Sequence, residues 1–253
     1  MTTAIVNARI FDGHTVLAAR TVVLDNDRIT AIGGAPPTGA ELIDATGATL
    51  LPGLIDAHVH TNESSLALAL RFGVTTELEM QGTHTRQRRA HVTTNDALAD
   101  VRSAGFGLTP PGGHPSELFP KDFRPRSLPD SPPAGPPPVQ AFVTSPAEAV
   151  AVISRLVESG SDYIKFMIDD GSVEGHPGLP MLDQATLNAG VAEAHKHGML
   201  TLAHALTIDA TRMAVDAGID GLAHLFLEPH TEAIIELIAG SGAFVVPCAV
   251  VDA

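Results

Sequence analysis

Residues 145–168 read SPAEAVAVISRLVESGSDYIKFMI. Ser145 is an N-cap, Pro146 suits the first helical position, and Glu148 stands third, a capping-box signature. The spacing predicts a helix running to Glu158, with Gly160 beyond it and an apolar strand at Tyr163–Ile168. The same unit then recurs. Asp183 caps a helix over 184–197 that ends at Gly198, and strand Leu200–Ala205 follows. Next come helix 208–217 closed by Gly218, strand Gly221–Leu225, helix 231–239 and strand Ala243–Pro247. Strands alternating with helices every ~20 residues indicate parallel βα units, hence an α/β fold.

Working back toward the N-terminus, Ser65–Phe72 reads as a helix before strand Thr75–Met80. Asn95–Ser103 reads as a helix before strand Phe106–Thr109. The first strand of the series lies in LPGLIDAHVH, residues 51–60, a buried apolar run that ends in two imidazoles. That makes about seven strands, where a TIM barrel needs eight. Residues 1–52 differ: short β-type runs (Ala4–Ile10, Thr21–Leu24, Ile29–Ile32, Glu41–Asp44) alternate with turn signals such as Asp25-Asn26 and Gly33-Gly34. They form a small β module, and residues 53–253 form the βα part. The Pro-rich stretch Arg124–Val139 reads as a long surface loop or a linker.

Composition narrows the function. The chain has 253 residues, 44% hydrophobic, enough for a sizeable core. A charge of −14 gives no basic footprint for nucleic acid. No apolar run reaches the ~18–20 residues of a membrane span, and MTTAIVNARIFDG lacks the pattern of a signal peptide. A cytoplasmic location is the default expectation. A lone cysteine, Cys248, excludes an internal disulfide and a Cys-rich zinc site.

The chemistry-bearing residues sit at strand ends. His58 and His60, two apart in a strand, share a side and can grip one cation. His204 ends Leu200–His204, and His224 ends Gly221–His224. Lys165 lies inside an apolar strand, where an ammonium is costly to bury. It needs either a salt bridge, to Asp169, Asp170 or Glu77, or conversion by CO2 to an anionic carbamate. In a parallel barrel these strand ends converge on one face. His114, in TPPGGHP, follows the third strand and is a candidate substrate contact or oxyanion donor, or else a loop-stabilising residue. Tyr163 reads as structural. His84, His91, His195, His197 and His230 fit exposed helices or loops and receive no role.

The ordered set LPGLIDAHVH, FGVTTELEM, TPPGGHP, DYIKFMIDDG, LAHA and GLAHLF resembles the amidohydrolase superfamily, in its imidazolonepropionase-like and prolidase-like branch. The resemblance implies a (β/α)8 TIM-type barrel with a flanking N-terminal β-sandwich. It implies one or two divalent metal ions, usually zinc, and hydrolysis of an amide, lactam or other C–N bond in a small molecule by metal-activated water. Under it, His58 and His60 bind the more buried metal. Lys165, carboxylated, bridges to a second metal held by His204 and His224. Lys165, His204 and His224 thereby serve catalysis as well as binding. A carboxylate on the product would need a cation, for which Arg124 and Arg126 are available.

The family's eighth strand carries an aspartate that acts as general base, and no residue here matches it; Asp252 follows the seventh strand. The expected barrel is therefore incomplete. Three explanations stand: a fragment of a longer chain, a complementing C-terminal segment from a second polypeptide or a homo-oligomer partner, or a catalytically impaired metal-binding relative. The first is preferred.

Overall fold

A computed structural model of the chain describes residues 1–118 and 139–248. Arg124, Arg126, Asp252 and all of the Pro-rich stretch but Val139 lie outside the described residues. The chain divides into two compact units, Met1–Leu54 and Ile55 onward.

The first unit holds β1 (Thr2–Val6), β2 (Arg9–Ile10), β3 (Val22–Asp25), β4 (Arg28–Ile32), β5 (Glu41–Asp44) and β6 (Thr49–Leu50). A four-stranded sheet has the order β4-β3-β1-β5, and β2 pairs with β6. β3 and β4 form a hairpin whose turn places Asn26 at φ 52°, a left-handed conformation that asparagine tolerates. Ala8, Ile10 and Val22 make its core.

The second unit begins with β7 (Leu54–Val59), α1 (Glu63–Arg71), β8 (Val74–Glu79) and β9 (Asp100–Ser103). It continues with α2 (Pro146–Glu158), β10 (Ile164–Met167), α3 (Gln184–Lys196), β11 (Thr201–His204) and α4 (Ile208–Asp216). β12 (Gly221–Leu222), α5 (Glu232–Ser241) and β13 (Phe244–Val245) complete it. β7, β8 and β9 form one sheet in that order, and β10 to β13 a second, all-parallel one. Residues 106–109 join the two. Leu108 N–H donates to Lys165 C=O at 2.8 Å, and Met167 N–H donates to Leu108 C=O at 2.9 Å.

Local chemistry explains the helices. Ser145 Oγ accepts from Glu148 N–H at 3.4 Å, and Glu148 Oε2 reaches back to Thr144 N–H at 2.7 Å. Asp183 caps α3 through Thr186 N–H, and Thr207 caps α4 through Ala210 N–H. The apolar faces of α2 and α3 then bury Ile153, Leu156, Leu187 and Val191 against Ile164 and Phe166 of β10. Gly190 allows the closest approach: a Cβ there would stand 2.7 Å from the Phe166 ring. Gly190→Val therefore overpacks this seam and should lower stability by about 2 kcal/mol, read from urea melts. A melt unchanged from wild type would contradict the tight packing.

Two expectations fail here. Asn95–Ser103 is not a helix: Asp100–Ser103 is strand β9, paired in parallel with Thr76–Glu79. Pairing to β8 and complete burial of Val101 and Ser103 override the local helical reading. Nor is the apolar run of β7 buried. β8 is its one paired neighbour among the described residues, and Leu54 and Ile55 stand 57% and 63% exposed.

Candidate metal centre

The carboxyl ends of the strands gather the histidines. His58 lies near the end of β7 and His60 just past it, with ring centroids 5.7 Å apart. His224, just past β12, stands 4.5 Å from the His58 ring and 4.8 Å from that of His204, the last residue of β11. His114 stacks on His204 at 4.2 Å. Lys165, on β10, is 1% exposed, and its charge depresses the basicity of His58, His204 and His224. The four histidines singled out as ligands, and His114, are thus linked ring to ring, and Lys165 lies two residues before the end of β10, close enough for its charge to act on three of them.

Hydrogen bonds fix which ring nitrogens are free. His58 Nδ1 lies 2.9 Å from Ala223 C=O, and His60 Nδ1 lies 3.2 Å from Gln81 C=O. A carbonyl only accepts, so each Nδ1 carries the proton and each Nε2 keeps its lone pair. In His204 the roles reverse. Nε2 donates to Asp169 Oδ2 at 2.7 Å, leaving Nδ1 available. Such outer partners set ligand orientation in metal sites.

Burial keeps the imidazoles of His58, His204 and His224 neutral. His58 is pushed down to about 3 by burial and the Lys165 charge. His204 falls to about 4, burial outweighing the Asp169 hydrogen bond, and His224 to about 2 through burial and the charges of His204 and Lys165. Lys165 itself is driven by burial down to about 7. Neutral imidazoles with free lone pairs and an amine that is half neutral near pH 7 fit a divalent metal; permanently charged groups would not.

Lys165 does not use the carboxylates considered for it. Asp169 pairs with His204 instead, and no ion pair joins Lys165 to Asp170 or Glu77 among the described residues. Asp169 was visible in the sequence only as a partner for Lys165. Cys248 was missed altogether: it follows β13 as the histidines follow their strands, and its Sγ groups with His58 and His224 in a metal-compatible cluster. Tyr163 donates to the carbonyls of Glu79 and Arg102, a structural use. His91, His195, His197 and His230 are exposed, but His84 is buried, its Nδ1 2.7 Å from Glu79 Oε1. The carboxylate that draws it inward lies on β8, five residues earlier.

Fold and site together define a parallel α/β protein with a histidine–lysine centre at its strand ends. No protein-family model matches the chain. It is 34% identical over 112 residues to an enamidase of Eubacterium barkeri, covering 39% of this chain and 29% of that protein. It is 29% identical over 218 residues to an allantoinase of Solibacter usitatus (strain Ellin6076), covering 78% of this chain and 39% of that protein. The crystal structure of an amidohydrolase superposes with a TM-score of 0.74 at 25% identity, covering 98% of this chain and 66% of that one. The chain is thus similar in sequence to an enamidase and an allantoinase, and in fold to an amidohydrolase. It spans well under half the length of the two curated relatives. Among the described residues no helix is long and apolar enough to cross a membrane.

Proposed function

We propose that this chain carries the metal centre of a hydrolase that cleaves an amide, lactam or other C–N bond in a small molecule. The observation that carries the reading is the convergence of His58, His60, His204 and His224 around a buried Lys165, with free lone pairs fixed on three of the imidazoles. The parallel sheet is read as part of a (β/α)8 barrel over residues 53–253, and residues 1–52 as part of a β-sandwich.

His58 Nε2, His60 Nε2, His204 Nδ1, His224 and Lys165 would hold one or two divalent ions, zinc suiting the imidazole set. A metal held there supplies a water of lowered pKa and polarises a carbonyl. Lys165 contributes by its neutral form. Its amine nitrogen bonds the carbon of CO2 and loses a proton, giving an anionic carbamate in place of a buried ammonium. Asp169 orients His204, and the carbonyls of Ala223 and Gln81 orient His58 and His60. His114, against His204, is positioned to meet substrate.

Metal analysis of protein supplied with zinc and bicarbonate tests this. Wild type should retain zinc through desalting, and the double variant His58→Asn/His60→Asn should lose affinity at least ~100-fold. Folded wild type without detectable metal would overturn the reading. A panel of small amides and lactams then tests turnover.

A further inference from the structure

A second group of ligand atoms lies on the far side of His114. Glu117 sits in a short turn, Ser116–Leu118, and Glu174 in the loop after β10. His114 Nδ1 is 2.6 Å from Glu117 Oε1 and 3.4 Å from Glu174 Oε2. One ligand atom from each residue falls within a mutual 4.8 Å. The Glu117 side chain is 6% exposed, and its Oε2 is buried with no hydrogen-bond partner. A buried carboxylate oxygen left so is costly, and a cation in contact with it would offset that cost.

Among the described residues no lysine or arginine is ion-paired with either glutamate, and His114 is the one basic residue that is. Asp169 adds a further negative charge nearby. Burial raises the Glu174 carboxyl, the His114 charge opposes this, and Asp169 and Glu117 add to the rise. Glu174 keeps 31% of its side chain exposed, so the group is open to solutes.

We propose that His114, Glu117 and Glu174 bind a divalent cation distinct from the one at His58, His60, Lys165, His204 and His224. One imidazole nitrogen and two carboxylate oxygens suit Zn²⁺ or Mn²⁺. Two carboxylates balance the charge of the ion. His114 stacks on His204, so this site borders the main centre without sharing a ligand with it.

Equilibrium dialysis against Zn²⁺ or Mn²⁺ alone, with the metal content of wild type and two variants compared, tests the assignment. Glu117→Gln/Glu174→Gln should bind one ion fewer than wild type at saturation. His58→Asn/His60→Asn should keep that ion. If the double glutamine variant does not fold, Glu174→Gln alone should weaken the extra ion at least ~10-fold. Equal stoichiometry in wild type and the folded glutamine variant, or an unchanged affinity in Glu174→Gln, would overturn the proposal. An ion lost with the glutamates but kept without His58 and His60 would uphold it even where the main centre binds nothing.

Discussion

Replacing Lys165 with methionine should stabilise the metal-free protein near neutral pH while removing its capacity for the main metal. The side chain is 1% exposed, and burial lowers it from 10.5 to about 7. An unfolded lysine titrates near 10.4, so between pH ~7 and ~10.4 the unfolded chain binds the extra proton. Wild-type stability therefore rises with pH through that window, by roughly 1.4 kcal/mol per unit. Below it the whole penalty, on the order of 5 kcal/mol, is present; above it the penalty is gone. Methionine fills a similar volume without charge, so Lys165→Met should flatten this slope and gain up to that amount at pH 6. Urea melts of metal-free protein from pH 6 to 9 measure both. Parallel pH dependences for wild type and variant would refute the account. The same substitution should abolish zinc retention, because a thioether cannot form the carbamate. A residue that destabilises the empty fold yet is needed for the ligand is expected at a working site.

The sheet and its helices were legible where a local signal sufficed. Ser145, Asp183 and the glycines at 160, 198 and 218 punctuate α2 to α4 within a residue or two. Lys165 stood out because nothing else in Ile164–Met167 is polar. What local pattern hid was set by partners distant in sequence. Asp100–Ser103 becomes a strand because β8 offers it a ladder. Asp169 lies four residues past Lys165, yet it is taken by His204, which stands 35 residues on. His84 looked like a surface loop residue because loop histidines usually are. Glu117 and Glu174 carry no spacing signal at all, since the topology alone brings their two loops together.

Arg89→Met should cost about 3–5 kcal/mol, the scale set by stranding a buried charge. Arg89 is 3% exposed and lies in the loop between β8 and β9. Its guanidinium forks onto Asp162, with Nη1 to Oδ2 at 2.6 Å and Nη2 to Oδ1 at 2.9 Å. Nη1 also donates to His84 C=O at 2.9 Å. Asp162 Oδ2 in turn accepts from Ser103 N–H at 2.9 Å, and Ser103 Oγ donates to Glu79, the carboxylate that holds His84. The arginine thus ties the end of β8, the end of β9 and the approach to β10. Removing it leaves the Asp162 carboxylate, 15% exposed, without its cation. Asp162→Asn in the same background should restore part of the loss, because the stranded charge is then gone. A double-mutant cycle should accordingly give a coupling above ~1 kcal/mol. Additive losses, or a cost for Arg89→Met below 1 kcal/mol, would mean that the fork is incidental and that strand pairing alone sets the spacing of β9 and β10. With coupling present, the network is what holds β8, β9 and β10 in the register that delivers Gln81 to His60 and Lys165 to the same end of the sheet.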